Sequence, residues 1–351
     1  MYLSIIGSSG CGKTTLFRAF SGITAGAGNS GSNIAIVEVP DERLDKLTGI
    51  FNPRKTVYGR IEVSDMPGIK EGDMKNESVP AKLLQQMRQS DAFLLVLRNF
   101  DDSAPVDPVR DFHTMLSELV ISDIGQIENR LERIKKQAGK KENTALEQEK
   151  ALMEQCLAHL EDGKPLRSLP LSDGDRKSLR SFQFLSQKPL MIVVNCAENM
   201  MGQGKVIAAG IKDKLSEGVP VVAVCARLEA ELSSMDPEDQ ALFMEEYGLR
   251  ESLRGRLIRL AYQTLGLISF LTVGDDECRA WPIRSGISAQ EAAGVIHTDL
   301  SDKFIRAETV AYEDFITHGD FAACKKAGVW RLEGKQYIVK DGDILSIRGG
   351  N

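Results

Sequence analysis

A glycine-rich loop between a short apolar strand and a helix constrains this 351-residue chain more than any other feature. Residues 2–6 (YLSII) are predicted to form a buried strand, and apolar residues at helical spacing follow Thr15. Between them, Gly7-Ser8-Ser9-Gly10-Cys11-Gly12-Lys13-Thr14 matches GxxxxGK[ST] at every fixed position. A strand, this loop and a helix together indicate a phosphate-binding loop, and a glycine-rich turn that merely contains Lys-Thr is the weaker alternative.

The expected chemistry of this loop follows from its backbone. Glycines allow successive N–H groups to curl around phosphates, and the helix N-terminus adds the positive end of its dipole. We expect Lys13 to stabilise the β- and γ-phosphates and the Thr14 hydroxyl to bind Mg²⁺. The residues of this loop predicted to contact the nucleotide are Gly7, Gly10, Cys11, Gly12, Lys13, Thr14 and Thr15.

A second motif supports the same site. Residues 59–65 alternate in polarity like a strand and end in Asp65-Met66-Pro67-Gly68. We predict that Asp65 lies near Mg²⁺ and that the Gly68 N–H contacts the γ-phosphate. Alone, an Asp-x-Pro-Gly turn is common in loops. Its position at a strand end, about fifty residues after a phosphate loop, favours the functional interpretation.

Three further apolar runs predict the fold class. Residues 92–97, 190–195 and 219–226 are apolar on both faces and are separated by helical patterns. Such runs are typical of a mainly parallel sheet that is covered by helices on each side. The sequence therefore predicts an α/β P-loop domain whose ligand lies at the carboxyl ends of the strands.

The turn after residues 190–195 bears on which base is bound. GTPases of this fold carry Asn-Lys-x-Asp there, whereas this chain has Asn195-Cys196-Ala197-Glu198. The acid is one methylene longer and the lysine is lost. A carboxylate that is out of register with the edge N–H groups of guanine weakens GTP binding more than ATP binding, so the turn favours ATP. An ordinary strand-end loop capped by asparagine, or a GTP site, is the alternative. The predicted base-pocket residues are Asn195, Cys196, Glu198, Cys225 and Ala226.

The order of these motifs, GxxxxGKT, DxPG, NxxE and Cys225-Ala226, resembles the YchF/Obg-like ATPase family. The resemblance is densest in residues 40–47, 181–189 and 265–344. It implies a cytosolic P-loop ATPase of the translation-factor GTPase class, with the ribosome or another translation component as partner.

The middle of the chain predicts a helical hairpin. Apolar residues fall at 116, 120, 124, 127, 131 and 134, a break follows at 139–141, and apolar residues return over 146–160. Basic residues crowd the predicted tip, namely Arg130, Arg133, Lys135, Lys136, Lys140 and Lys141. A charged run on a helix is most often a solvated face. An arm that contacts RNA phosphates is the alternative.

The end of the chain predicts a small separate domain. Residues 267–273 and 277–283 indicate a β-hairpin, and a helix is expected over 288–297. This part resembles the TGS domain, a β-grasp module. Residues 266–351 carry 10 Lys and Arg against 13 Asp and Glu, so charge alone does not predict RNA binding. The predicted domains are 1–111 with 181–264 (nucleotide-binding), 112–180 (hairpin) and 265–351 (TGS-like).

Several positions depart from the patterns of the family or of Ras-like relatives. Gly10 replaces an asparagine that is a potassium-site candidate in related GTPases, which argues against potassium activation. Residues 25–33 lack the family's switch threonine, which would weaken metal coordination. Ile69 stands where Ras-like proteins carry a water-positioning glutamine, and the loop 99–110 has no histidine. No general base is predicted, so we expect slow hydrolysis, and a nucleotide- or ligand-binding docking protein without useful catalysis is the competing class.

Net charge, apolar runs and cysteine spacing argue against several other classes of protein. The net charge is −6, so no overall basic field attracts nucleic acid. No stretch approaches the roughly 20 apolar residues of a membrane-spanning helix, and the opening residues do not resemble a signal peptide. Six well-separated cysteines form no CxxC pair, so neither disulfides nor zinc are predicted, and a cytosolic location is expected.

Overall fold

The computed structural model describes residues 1–22, 33–100, 105–137, 144–215, 218–233, 235–246 and 252–350. Its strands are β1 (Tyr2–Ile6), β2 (Asn33–Val39), β3 (Lys55–Val57), β4 (Gly59–Asp65), β5 (Ala92–Asn99), β6 (Leu190–Cys196), β7 (Val221–Val224), β8 (Leu267–Thr272), β9 (Glu277–Arg284), β10 (Phe304–Ala311), β11 (Arg331–Glu333) and β12 (Asp343–Gly349). Its helices are α1 (Lys13–Ser21), α2 (Glu42–Phe51), α3 (Ala81–Gln89), α4 (Pro108–Gln137), α5 (Thr144–Glu161), α6 (Asp173–Leu179), α7 (Gly204–Leu215), α8 (Ala226–Leu232), α9 (Pro237–Glu246), α10 (Leu253–Leu265), α11 (Ala289–Ile296), α12 (Thr298–Asp302), α13 (Tyr312–His318) and α14 (Phe321–Ala327). The chain divides into two compact units, Met1–Ala35 with Glu62–Arg256, and Ile36–Ile61 with Leu257–Asn351.

A six-stranded sheet in the order β2-β4-β1-β5-β6-β7 organises the first unit. Strands β4, β1, β5, β6 and β7 pair in parallel. Every residue of β6 is buried, as expected for a central parallel strand with helices on both faces. The predicted α/β class with a mainly parallel sheet is confirmed.

Helices α4 and α5 belong to this unit and pack against each other. The predicted apolar seam is buried at Leu116, Val120, Ile127 and Ile134, and Met153 of α5 is fully buried. Arg130 lies 2.6 Å from Glu149 across the two helices. The residues that join the helices, including Lys140 and Lys141 of the predicted tip, lie outside the described residues.

The second unit contains a mixed sheet in the order β11-β10-β12-β8-β9-β3. Strands β8 and β9 form the predicted antiparallel hairpin, and α11 begins at a capping box formed by Ser288 and Glu291. Helices α2 and α13 bury Leu44, Leu47 and Phe315 in one cluster. Helix α11 buries three alanines in another cluster, Ala289, Ala292 and Ala293.

This division differs from the predicted domains at three places. Residues 112–180, predicted as a separate hairpin domain, group with the nucleotide-binding residues, because α4 and α5 share one hydrophobic cluster with β5 and β6. Residues 36–61 and 257–264 were expected in the nucleotide-binding domain but group with the C-terminal residues. The physical reason is long-range pairing, because β3 pairs in parallel with β9 and Arg43 of α2 lies 2.9 Å from Asp341. The hairpin helix also begins at Pro108 rather than at 112.

Two further observations concern the chain as a whole. The six cysteines are all free and buried. No helix in the described part of the chain is both long and apolar enough to cross a membrane. The switch segment 25–32 and part of the loop 99–110 lie outside the described residues, so what the sequence suggests for them stays a prediction.

Candidate nucleotide-binding site

The phosphate loop connects β1 to α1 as the sequence predicted. Three of its residues, Gly7, Gly10 and Gly12, have positive φ angles of 150°, 78° and 94°. Side chains rarely adopt such backbone conformations, so glycine is required to shape the loop. Helix α1 begins at Lys13, directly after Gly12, and its N-terminus therefore faces the loop. This arrangement supplies the N–H groups and the dipole that bind phosphate.

Lys13 is held against the loop. Its Nζ donates hydrogen bonds to the carbonyl oxygens of Gly7 at 3.1 Å and Ser8 at 2.7 Å. The Cys11 thiol beside it is buried, and burial raises its pKa. A thiol of raised pKa stays neutral and acts as a small packing group, so it does not offset the positive charge of Lys13.

The two predicted metal-binding residues lie in direct contact. Thr14 Oγ1 donates a 2.6 Å hydrogen bond to Asp65 Oδ2. Residue Asp65 is the last residue of β4, and β4 pairs with β1 so that Ile5 lies opposite Asp65. Hydroxyl and carboxylate oxygens are the donors that Mg²⁺ takes from proteins, the other positions being filled by phosphate and water. No cluster of three or more His, Cys, Asp and Glu within the described residues offers a competing metal site.

Gly68 lies against the phosphate loop. A Cβ added to Gly68 would fall 2.3 Å from Ser9 Oγ and 2.7 Å from Ser9 N, so only glycine fits. The next residue, Ile69, donates its N–H to Gly7 O at 3.2 Å and buries its side chain in the core. The side chain at the position of the Ras-like glutamine is therefore apolar and enclosed in the core.

A cavity of about 600 Å³ joins these groups. The loop contributes Lys13 and Thr14, and the turn contributes Asp65 and Gly68. Further lining residues come from α3 and from strands β1, β2 and β4. Among the described residues, the ionisable side chains that line it are Tyr2, Lys13, Asp65 and Lys82. The cavity therefore brings together the side chains predicted to bind phosphate and Mg²⁺, and its described lining contains no histidine.

Asn195 bridges the phosphate loop to the start of α8. Its Nδ2 donates to Cys11 O at 3.0 Å, and its Oδ1 accepts from the N–H of Ala226, also at 3.0 Å. A Cβ at Gly12 would lie 2.1 Å from Asn195 Nδ2, which gives Gly12 a second reason to be glycine. The sequence predicts Asn195 as a base-pocket residue, and in the structure its amide links the phosphate loop to the start of α8.

The other predicted base-pocket residues divide into two groups. Cys196, Cys225 and Ala226 are buried, and the Cys196 thiol accepts a hydrogen bond from Asn99 Nδ2 at 3.4 Å. Burial also raises the pKa of Cys196. Glu198 is exposed at the start of a 3₁₀ turn after β6, so it is the accessible side chain of this group. The two thiols are therefore packed in the interior, and among the predicted base-contacting residues Glu198 is the one with an exposed side chain.

Two buried carboxylates on α4 were not found from the sequence. Glu118 accepts hydrogen bonds from Gly72 N and Met74 N, and Asp123 accepts them from Leu185 N and Ser186 N. The signal was present, because both acids stand within an apolar stretch from 115 to 124. A hairpin interpretation treats such acids as solvated, which is why they were missed.

The predicted basic tip has less free charge than its sequence suggests. Arg130 makes a two-pronged contact with Glu149, and Lys136 lies 3.3 Å from Glu132. Arg133 and Lys135 are exposed. Local pairing of two cations reduces the positive field available to an RNA backbone.

A parallel sheet with a GxxxxGKT loop and a facing Asp-x-x-Gly turn defines a P-loop nucleotide-binding protein of the GTPase fold. A family model described as "50S ribosome-binding GTPase" matches residues 2–141, and one named YchF-GTPase_C, described as a protein of unknown function, matches residues 267–349.

The curated "Ribosome-binding ATPase YchF" of Bacillus subtilis is 38% identical to this chain and that of Escherichia coli O157:H7 is 37% identical. These alignments cover 98% and 97% of each chain, respectively. The structure of the Schizosaccharomyces pombe YchF GTPase superposes with a TM-score of 0.85 at 28% identity, covering 99% of this chain and 97% of that one. This chain belongs to the YchF family.

Proposed function

We propose that this protein is a nucleotide-dependent switch that binds Mg²⁺ with ATP, hydrolyses it slowly and acts at the ribosome. The observation that carries the proposal is the contact between Thr14 and Asp65, which lies beside Lys13 and Gly68 in one cavity. Mg²⁺, when bound, neutralises charge on the phosphate oxygens. Thr14 and Asp65 would hold that ion, Lys13 would stabilise the phosphates, and the backbone N–H of Gly68 would contact the γ-phosphate.

Slow turnover follows from the side chain after Gly68. Ile69 is buried, and the ionisable groups of the described cavity wall include no histidine to activate a water. A positioned group that transfers a proton typically contributes a factor of about 10² to 10⁴ to a rate. A partner that supplies the missing group would raise the rate, as activators do for GTPases.

ATP preference is proposed from the NxxE turn. The guanine-reading aspartate is replaced by Glu198, an exposed side chain at the end of β6. The buried thiol of Cys196 stands where a guanine-specific turn carries lysine. The names of the Bacillus and Escherichia relatives, which describe both as ATPases, support the same preference.

The partner is proposed from those same names, which describe ribosome binding. A ribosomal partner also implies a cytosolic location. The exposed Arg133 and Lys135 on α4 are candidate RNA contacts. The C-terminal unit, which we assign as a TGS-like β-grasp module, is the second candidate contact surface.

The test is a calorimetric titration of metal-stripped protein with ATP and with GTP, each with Mg²⁺, followed by a phosphate-release assay. We expect ATP to bind more tightly than GTP and to be hydrolysed slowly. Lys13→Ala should abolish binding and release, whereas Lys177→Ala, which changes an exposed lysine on α6, should alter neither.

The other outcomes are equally informative. Binding without release would support the docking protein that lacks useful catalysis. Equal or tighter GTP binding would refute the interpretation of the NxxE turn. An absence of any binding would refute the proposed function.

A further inference from the structure

The buried carboxylate of Glu118 connects helix α4 to residues 70–78, the segment that follows the Asp-x-Pro-Gly turn. Its two oxygens accept hydrogen bonds from the backbone N–H groups of Gly72, at 2.7 Å, and Met74, at 2.8 Å. Glu118 is only 2% exposed. Hydrogen bonds to a charged acceptor that is shielded from water are among the stronger ones in proteins, so this contact fixes the segment firmly to α4.

The segment itself is a compact turn. Lys70 N donates to Asp73 Oδ2 at 2.8 Å, and the Asn76 N–H donates to Gly72 O at 2.9 Å. The same contact with the Lys70 N–H lowers the pKa of the Asp73 carboxyl, because the hydrogen bond favours its ionised form. A turn that is braced internally moves as a unit, so a displacement at its beginning reaches Gly72 and Met74.

The beginning of the segment is attached to the phosphate loop. Ile69 N donates to Gly7 O at 3.2 Å, and Gly68 packs directly on Ser9. Gly68 is also the residue whose N–H is proposed to contact the γ-phosphate. Only a few residues therefore separate the phosphate contact at Gly68 from the Glu118 contacts at Gly72 and Met74.

Glu118 lies on α4, the first helix of the hairpin. Helix α4 runs without interruption from Pro108 to Gln137. Leu116 and Val120, which lie two residues before and after Glu118 on this helix, share one hydrophobic cluster with Ile69. A packed helix of this length shifts largely as a rigid element. A displacement of α4 at Glu118 is therefore expected along the whole arm, which consists of α4 and α5.

We propose that Glu118 is a positioning residue that couples the γ-phosphate-sensing segment to α4, so that the arm responds to whether a triphosphate or a diphosphate is bound. The inference rests on the proposed nucleotide binding and goes beyond it by naming the link between the site and the arm. Glu118 does not touch the nucleotide. It acts through Gly72 and Met74.

Glu118→Gln is the test variant because glutamine keeps the size of the side chain and one acceptor oxygen but loses the other. The matched control is Asp123→Asn, which alters a second buried carboxylate on the same helix. Asp123 also accepts two backbone N–H groups, but from Leu185 and Ser186, which lie far from the sensing segment in the chain. A general loss of helix integrity affects both variants, whereas a loss of coupling affects only the first.

Two quantities are measured on the full-length protein. The first is the ratio of affinities for a non-hydrolysable ATP analogue and for ADP, each with Mg²⁺. The second is backbone hydrogen exchange over residues 70–78 and over α4 in the two nucleotide states. Unfolding midpoints and ADP affinities show whether each variant is folded with an intact phosphate loop.

We expect the wild-type protein to change its exchange in both regions when the triphosphate analogue replaces ADP. In Glu118→Gln, ADP affinity is retained, the triphosphate preference falls about tenfold, as for one lost charge-assisted hydrogen bond, and α4 no longer responds. Asp123→Asn should keep the preference and the response even if its unfolding midpoint falls.

Three results would overturn the coupling. The first is an unchanged exchange response of α4 in Glu118→Gln. The second is an equal loss of triphosphate preference in Asp123→Asn, and the third is a wild-type arm whose exchange is the same with both nucleotides. Each result would refute the coupling and leave the proposed function intact. If the wild-type protein binds neither nucleotide, the proposed function fails and the coupling fails with it.

Discussion

The bridge made by Asn195 can be tested by removing only its donor half. Asn195→Asp preserves the shape of the side chain and the oxygen that accepts from Ala226 N. It replaces the group that donates to Cys11 O with a second oxygen. The carbonyl of Cys11 then faces an acceptor instead of a donor. The variant therefore isolates the contact between β6 and the phosphate loop.

The expected cost follows from burial. Asn195 is 6% exposed, so water does not readily replace the lost donor. A net hydrogen bond is worth about 0.5–1.5 kcal/mol, and a buried group left unsatisfied costs about 1–3 kcal/mol. We expect the free energy of unfolding to fall by about 2–4 kcal/mol at pH 7. The introduced carboxyl can donate again once it is protonated, so the loss should shrink as the pH is lowered.

The assay is equilibrium urea unfolding at pH 7 and pH 5, with ATP affinity measured on the same samples. Asn129→Asp is the control, because Asn129 Nδ2 also donates to a backbone carbonyl, that of Gly125, but is exposed. It should change stability by no more than about 0.5 kcal/mol. A variant at Asn195 that keeps wild-type stability at pH 7 but binds ATP weakly would refute the bridge, because the amide would then contact the ligand directly.

Two further predictions concern the phosphate side of the site and the base of the arm. Gly68→Ala should weaken ATP binding by about 1–3 kcal/mol, because its Cβ meets the backbone of Ser9, whereas Gly49→Ala, with open space around it, should have no effect in the same calorimetric titration. Burial raises the pKa of Asp123 from 3.8 to about 6, so the folded state keeps a proton that the unfolded state releases as the pH rises. The unfolding free energy of the wild-type protein relative to Asp123→Asn should therefore fall by up to about 3 kcal/mol between pH 4 and pH 7. Urea titrations at both pH values measure this difference, and a difference that does not change with pH would contradict the prediction.

The parts of the fold set by local pattern were predictable. Strand β4 has the predicted bounds, and β1 and β6 agree to within one residue, because apolar runs and turn residues specify them locally. Strand β7 is shorter than the predicted 219–226, because Pro220 has no N–H to donate and α8 begins at Ala226. Strand β2 was not predicted, although residues 34–39 are mostly apolar.

The parts that depend on distant pairing were not predictable. Nothing in residues 36–61 shows that they pack with the C-terminal sheet, because the information lies in their partners, as in the pairing of Val57 with Arg279. The site shows the same limit. Motifs placed Lys13, Thr14 and Asp65 correctly beside one another, but the double role of the Asn195 amide required knowledge of where Cys11 and Ala226 lie.

The chemistry of the segment after Gly68 favours sensing over catalysis. A water-positioning side chain needs to be polar and accessible, whereas Ile69 is buried and attached to Gly7 through its backbone. Gly72 and Met74 of the same segment donate to the buried carboxylate of Glu118 on α4. A site that binds the γ-phosphate closely but activates water poorly keeps its triphosphate state for a long time. A long-lived state is what a coupling through α4 requires, because the arm reports the nucleotide only while the nucleotide remains intact.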